Sequence, residues 1–358
     1  MASHQVVLFC CFVDAKLRSL CRHAKQNQNA RLAKRLRLSC SKKHISSEKR
    51  TTKCSEKICN FANKKVMLMQ RSILTIILLF TVMPMCSATK RALLIGISDY
   101  PVYKKVADAS WGSIHGANDV LLVRNTLRTQ GFVVTSLLNS NATAANIRKA
   151  FQKLLSEVRT GDVVYLHFSC HGQPFEDMNG DEEDGWDETI VPYDAMMTHK
   201  RGVYEGANHV LDDELHVYFD NLRKAVGVSG FVCVVIDACH AGSSYRGDEE
   251  EEIFCRGTKK GFSPNSKEFH PRINAKGHFK IPKKQGYGDI VVMEACRSYQ
   301  SNYEIKKGNT YYGPLSYYTN KVLSAQPLKR DLRWVKEVEK YMASNLIRQN
   351  MVYESSLE

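Results

Sequence analysis

The chain has 358 residues, 12 cysteines and a formal net charge of +14, yet residues 1–66 hold 16 Lys/Arg against 3 Asp/Glu and the rest of the chain is almost neutral. The basic character therefore belongs to the leader, and it gives no reason to expect nucleic-acid binding by the domain after it. Five cysteines after residue 89 (Cys170, Cys233, Cys239, Cys255 and Cys296) lack paired metal-ligand spacing, and a domain of about 270 residues buries a full core without disulfides.

Residues 1–66 contain no recognisable module and read as disordered, or as an upstream extension of the reading frame ahead of Met67 or Met69. Lys64, Lys65 and Arg71 then precede the apolar run from Ser72 to Met85, which ends in Cys86-Ser87-Ala88. A positive flank, a short apolar stretch and a small-residue triplet describe a signal peptide over 67–88, with a mature start near Thr89. The run is short for a membrane span, which needs about 20 residues. The alternative is a signal anchor, in which case the protein sits on a membrane. Either way the expected location is outside the cytoplasm: secreted, periplasmic or on the cell surface.

From residue 89 the pattern alternates. Residues 92–97 read as a strand, 119–127 as a helix and 132–138 as a second strand. Asn141-Ala-Thr143 caps a helix over 144–158, whose Ile147, Phe151, Leu154 and Leu155 share one face. The run Asp162-Val-Val-Tyr-Leu-His-Phe168 is a strand, 172–210 a long Gly- and Asp-rich loop, and 212–225 a helix. Residues 231–236 and 290–296 are strands, and helices follow near 315–323 and 332–347. Continuous β-branched and aromatic runs indicate strands buried on both faces, hence a parallel sheet. Alternation with helices gives an α/β/α sandwich over 89–358. Residues 241–287 form a polar internal linker with the acidic run Asp248-Glu-Glu-Glu-Glu252. A structureless stretch of that length inside a domain tends to be functional.

Two phrases close two of these strands: Ser169-Cys170-His171-Gly172, and Asp237-Ala238-Cys239-His240-Ala241-Gly242. Chemistry in parallel sheets gathers at the carboxyl ends of strands, and a thiol becomes a nucleophile when an imidazole lies near it. These phrases resemble the caspase-like cysteine peptidases, and among them the metacaspases. Arg91-Ala-Leu-Leu-Ile-Gly-Ile-Ser98, Gly116-Ala-Asn-Asp119, Asp184-Gly-Trp-Asp-Glu-Thr-Ile-Val-Pro-Tyr-Asp194 and Leu211-Asp-Asp-Glu-Leu215 extend the resemblance in family order. Two positions depart from the family pattern: Cys170 stands where glycine is usual and Ala238 where serine is frequent.

The resemblance implies a caspase-like three-layer fold with a mostly parallel sheet and a cysteine endopeptidase acting on peptides or proteins after Arg or Lys. Cys239 would be the nucleophile, and His171 the base that later protonates the leaving amine. The N–H groups of Gly172 and Cys239 would form the oxyanion hole. Asp119 and Asp237 would line the pocket for the basic side chain; the plainer readings are a helix cap for Asp119 and an internal salt bridge for Asp237. Asp187, Asp212 and Asp213 match positions that bind calcium in several relatives, while the plainer reading of Asp212 and Asp213 is an N-terminal helix cap. His167 reads as a core residue, and His240 as diverging from its neighbour Cys239. Cys170 is either a passive replacement or an oxidative partner of Cys239. Self-cleavage is expected after a basic residue of the linker: Arg246, Arg256, Lys259, Lys260, Arg272 or Lys276. The rival readings are a proteolytically silent caspase-fold scaffold and a clostripain- or gingipain-like peptidase.

Overall fold

A computed structural model describes residues 88–240, 254–271, 273–274 and 276–358. The expectations for the leader, the signal peptide and the acidic run fall outside these residues. No helix among the described residues is long and apolar enough to cross a membrane.

The first strand, β1 (Lys90–Gly96), is followed by α1 (Gly116–Thr129), β2 (Phe132–Leu138), α2 (Ala144–Glu157) and β3 (Val163–Ser169). Next come β4 (Gly172–Glu176), β5 (Trp186–Ile190), β6 (Val210–Leu211), α3 (Asp212–Val226) and β7 (Phe231–Asp237). The last third holds β8 (His278–Lys280), β9 (Asp289–Glu294), β10 (Ile305–Lys307), β11 (Thr310–Tyr312), α4 (Pro314–Ala325), α5 (Arg333–Asn345) and β12 (Val352–Ser355). Seven strands form one sheet in the order β2-β1-β3-β7-β9-β12-β8. The first five run parallel, β12 is antiparallel to β9, and β8 is parallel to β12.

Alternation along each strand sends side chains to two separate cores. On one face Leu93, Ile95, Leu166, Phe168, Val234 and Ile236 pack under α2 and α3 through Ile147, Phe151, Leu215 and Phe219. On the other, Leu94, Tyr165, Cys233, Val235 and Met293 meet α1, α4 and α5 through Val123, Leu127, Leu315, Tyr318, Trp334 and Val338. This is the α/β/α sandwich that the strand–helix alternation predicts.

The structure adds elements that periodicity does not reveal. The stretch 172–210 is not all loop: β4, β5 and β6 form a small antiparallel sheet. β12 follows α5 after a short connection and fills the far side of β9, and β10 and β11 make a hairpin. The linker 241–287 contributes β8 to the sheet edge. Its residues 254–262 run through the cleft at the strand ends.

Candidate active site

Parallel register sets the site. Ser169 of β3 lies opposite Asp237 of β7. His171 and Cys239 each stand two residues further on, so the chain delivers them from neighbouring strands at the same level. Both are buried.

The His171 ring is fixed from three sides. It stacks on Trp111 at 4.9 Å between centroids, lies 5.1 Å from Tyr100, and its Nε2 is 2.8 Å from the Gly112 carbonyl. A carbonyl only accepts, so Nε2 carries the proton and Nδ1 is the basic nitrogen. Nδ1 is buried and without a hydrogen-bond partner among the described residues. Burial lowers the ring's pKa to about 4, so it is neutral near pH 7. A group with a depressed folded-state pKa gives stability that is present above its unfolded value and lost as pH falls towards 4.

Cys239 Sγ donates to the Gln300 carbonyl at 3.0 Å. Its backbone N–H and that of Gly172 point at a single atom, the carbonyl oxygen of Arg256, at 3.1 and 3.0 Å. Gly172 sits so close that a Cβ there would lie 2.7 Å from the Cys239 carbonyl and 2.9 Å from the His240 ring. A side chain at this position would push the two motifs apart.

The Arg256 side chain fills a closed pocket beside that carbonyl. Its Nε and Nη2 donate to Glu304 Oε1 at 3.0 and 2.7 Å, and Nη2 also meets Asp119 Oδ2 at 2.7 Å. Nη1 donates to Ser169 Oγ at 2.5 Å and to the Asp237 carbonyl at 3.3 Å, with Asp237 Oδ1 at 3.7 Å. Each of the guanidinium's N–H groups has an acceptor, the planar arrangement that suits arginine. The acids are themselves held. Ser169 Oγ and the Gly313 N–H donate to Asp119; Asn302 Nδ2 and the Ser316 N–H and hydroxyl donate to Asp237. His115 Nδ1 lies 2.5 Å from Glu304 Oε2. Burial raises the Asp119 pKa to about 7, even though Arg256 pulls it down, while the three carboxylates together hold Arg256 firmly protonated. Desolvation thus outweighs the one cation at Asp119, because that cation is shared.

The backbone around Arg256 is equally ordered. Residues 254–256 run antiparallel to 302–304: the Arg256 N–H donates to the Asn302 carbonyl at 3.0 Å and the Glu304 N–H to the Phe254 carbonyl at 2.9 Å. Beyond the pocket, Gly257 bridges to Gly172, and Phe262 exchanges hydrogen bonds with Pro174 and Glu176 of β4. A Cβ on Gly257 would collide with the Cys239 carbonyl and come within 3.1 Å of Cys239 Cβ. The Arg256–Gly257 peptide bond therefore passes against the backbone and Cβ of Cys239.

Asp119 and Asp237, named from the sequence, are brought together, and Asp119 makes no side-chain cap to α1. Glu304, Ser169 and Gly313 complete the pocket and were not legible as such. The His167 ring is buried between Tyr165 and Ser316 of α4 and is held neutral, its pKa lowered to about 4 by burial. His240 turns to the Thr189 carbonyl at 3.2 Å. Cys170 packs into the core under α2 and α3, and burial pushes its thiol up to about 12.

The three candidate calcium ligands share one acidic neighbourhood: burial, then Asp187, raises the Asp212 pKa to about 7. Asp187 joins Asp177 and Asp181, with carboxylate oxygens all within 4.8 Å of one another. Asp213 reaches this group through Asn179 Nδ2 at 2.9 Å. Asp212 also lines a cavity of about 150 Å³ with Glu188, Glu294 and Glu354. Burial and the surrounding carboxylates raise Asp187 to about 6. Oxygen donors alone suit a hard cation such as calcium.

Residues 90–246 match the family described as metacaspase, peptidase C14 domain. Metacaspase-1B of Aspergillus fumigatus is 33% identical over 164 residues, covering 44% of this chain and 37% of that protein. Metacaspase-1 of Eremothecium gossypii is 31% identical over 163 residues, covering 44% of this chain and 33% of that protein. The chain thus spans little more than a third of the length of these curated relatives. A crystal structure of a protein from Geobacter sulfurreducens superposes with a TM-score of 0.50 at 19% identity, over 75% of this chain and 94% of that one, a likeness of fold. The motifs of both strand ends lie inside the matched region, so residues 90–246 are similar to the metacaspase peptidase C14 domain.

Proposed function

We propose that the protein is a cysteine endopeptidase that cleaves after arginine or lysine, and that its first substrate is its own Arg256–Gly257 bond. The observation that carries this reading is the seating of Arg256: side chain in an acidic pocket, carbonyl oxygen on two N–H groups, following residue against the backbone and Cβ of Cys239. That is the posture of a peptide about to be cut. Cys239 attacks the Arg256 carbonyl carbon. The oxygen becomes an oxyanion held by the N–H groups of Gly172 and Cys239, each such donor being worth about 3 kcal/mol of barrier. Once the thiol turns from the Gln300 carbonyl, His171 takes its proton on Nδ1 and gives it to the amine of residue 257. The Gly112 carbonyl keeps the ring turned for this task. Water then releases the acyl group, with His171 as base.

Scanning the residue before the scissile bond in a peptide library tests the specificity. Arginine should lead, lysine should follow, and neutral or acidic residues should be cut at least about 100-fold more slowly, because they leave buried carboxylates unpaired. Preference for aspartate at that position would refute the pocket assignment.

Calcium belongs to the proposal through Asp187, Asp177 and Asp181, with Asp213 behind them. Bound there, the ion neutralises a crowded group of carboxylates and stiffens the loop between β4 and β5. Removing calcium with a chelator should lower activity and melting temperature together, and Asp187→Asn should mimic it. Full activity in excess chelator would return these residues to loop and helix capping. Export is proposed on the run over 67–88; N-terminal sequencing of the natural protein, expected to begin near Thr89, checks it.

A further inference from the structure

The thiol beside Cys239 is Cys296. The pairing of β7 with β9 sets Ile236 opposite Glu294, and the Ala295 N–H donates to the Ile236 carbonyl at 3.1 Å. Continued by two residues, this register puts Cys296 opposite Ala238 and diagonal to Cys239, on strands spaced about 4.8 Å apart. The two sulfurs converge on one acceptor: Cys239 Sγ lies 3.0 Å and Cys296 Sγ 3.4 Å from the Gln300 carbonyl. Cys239, ahead of burial itself, pushes the Cys296 thiol well above its ordinary range. Disulfides need Cα atoms within about 7 Å, and neighbouring strands meet that. Cys170, by contrast, points into the core on the α2–α3 side.

We propose that Cys239 and Cys296 form an oxidative modification site, in which Cys296 is the resolving thiol that converts oxidised Cys239 into a reversible disulfide. With hydrogen peroxide as oxidant, Cys239 first becomes a sulfenic acid and one water leaves. The Cys296 sulfur then attacks the Cys239 sulfur, the S–S bond forms, and the sulfenic oxygen departs as a second water. Two electrons pass from the two thiols to peroxide. The disulfide removes the nucleophile without destroying it, and a dithiol restores both groups by exchange. Further oxidation of an unresolved sulfenic acid to sulfinic acid is irreversible to dithiols. The functional consequence rests on Cys239 being the nucleophile; the chemistry of the pair does not.

The full chain, titrated with hydrogen peroxide and digested without reduction after blocking free thiols, provides the test. The expected result is a cross-linked peptide joining residues 239 and 296, with the mass of the two thiol hydrogens lost, and disappearing on dithiothreitol. In Cys296→Ser the same dose should leave Cys239 as sulfinic acid, which dithiothreitol does not recover. Absence of the cross-link, linkage of Cys239 to Cys170 or Cys255, or equal recovery of Cys239 in wild type and Cys296→Ser would each overturn the proposal. Mapping the wild type alone decides the matter if the variant does not fold, and mass spectrometry needs no peptidase activity.

Discussion

Replacing Cys239 by alanine is expected to lower cleavage of arginyl peptides by about 10⁴-fold or more, and to leave the chain uncut at Arg256. The size of the effect comes from the site. Two N–H groups and a carboxylate-lined pocket hold the peptide bond, but only the thiol can form the acyl intermediate. The alanine protein should fold and keep Arg256 in place, because Cys239 contributes a small side chain to that contact. His171→Ala should fall nearly as far, since in the proposed mechanism base and nucleophile act as one unit. Activity that survives Cys239→Ala would place the nucleophile elsewhere.

Arg256→Ala, made in the Cys239→Ala background, has the second large effect. It leaves Asp119, Asp237 and Glu304 without the cation they share. Removing one partner of a buried ion network typically costs about 3–5 kcal/mol. Two routes relieve that cost: the carboxyls take up protons, or residues 254–262 leave the cleft and water enters. Thermal or denaturant unfolding should show the loss. Adding agmatine, a guanidinium without a peptide, should restore stability to the variant and do little to the parent, whose pocket is full. The rescue should strengthen as pH rises, because burial raises the Asp119 pKa and the variant lacks the Arg256 cation that pulls it down, so the carboxyl offers less charge to the ligand at low pH. Equal stabilisation of both proteins by agmatine would contradict this account of the pocket.

The central sheet and its flanking helices were open to sequence reasoning because long strands and amphipathic helices carry their own periods. The runs around Leu166 and Val234 are apolar but for His167, and Phe151 and Leu154 sit on a helical face, so packing and local pattern agree. The short strands were not legible. Val210–Leu211 is a strand only because β5 lies beside it, and Val352–Ser355 only because β9 has a free edge. The site divides in the same way. His171, Cys239, Asp119 and Asp237 lie within or beside phrases that end strands or begin a helix. Glu304 lies in an irregular segment with no motif, and only the fold brings it to Arg256. A charge argument could have anticipated a further acid, since a buried guanidinium presents N–H groups along an edge that two carboxylates do not fully cover. Arg256 was one basic residue among six candidates in the linker, and nothing in its flanks marks it. Its selection is a matter of chain path: residues 254–256 pair with 302–304, and Gly257 alone allows the close passage over Cys239.

The most direct test of this seating is the position of the cut. Purified wild-type protein, incubated with and without calcium alongside Cys239→Ala, is resolved on a denaturing gel, and the new N-terminus is sequenced. The account predicts a C-terminal fragment beginning at Gly257 in the wild type only, with both fragments remaining together under native conditions. A fragment beginning elsewhere, or the same fragment from Cys239→Ala, would contradict it; a chain that stays whole in every condition would favour a caspase-fold protein that binds arginine without cutting.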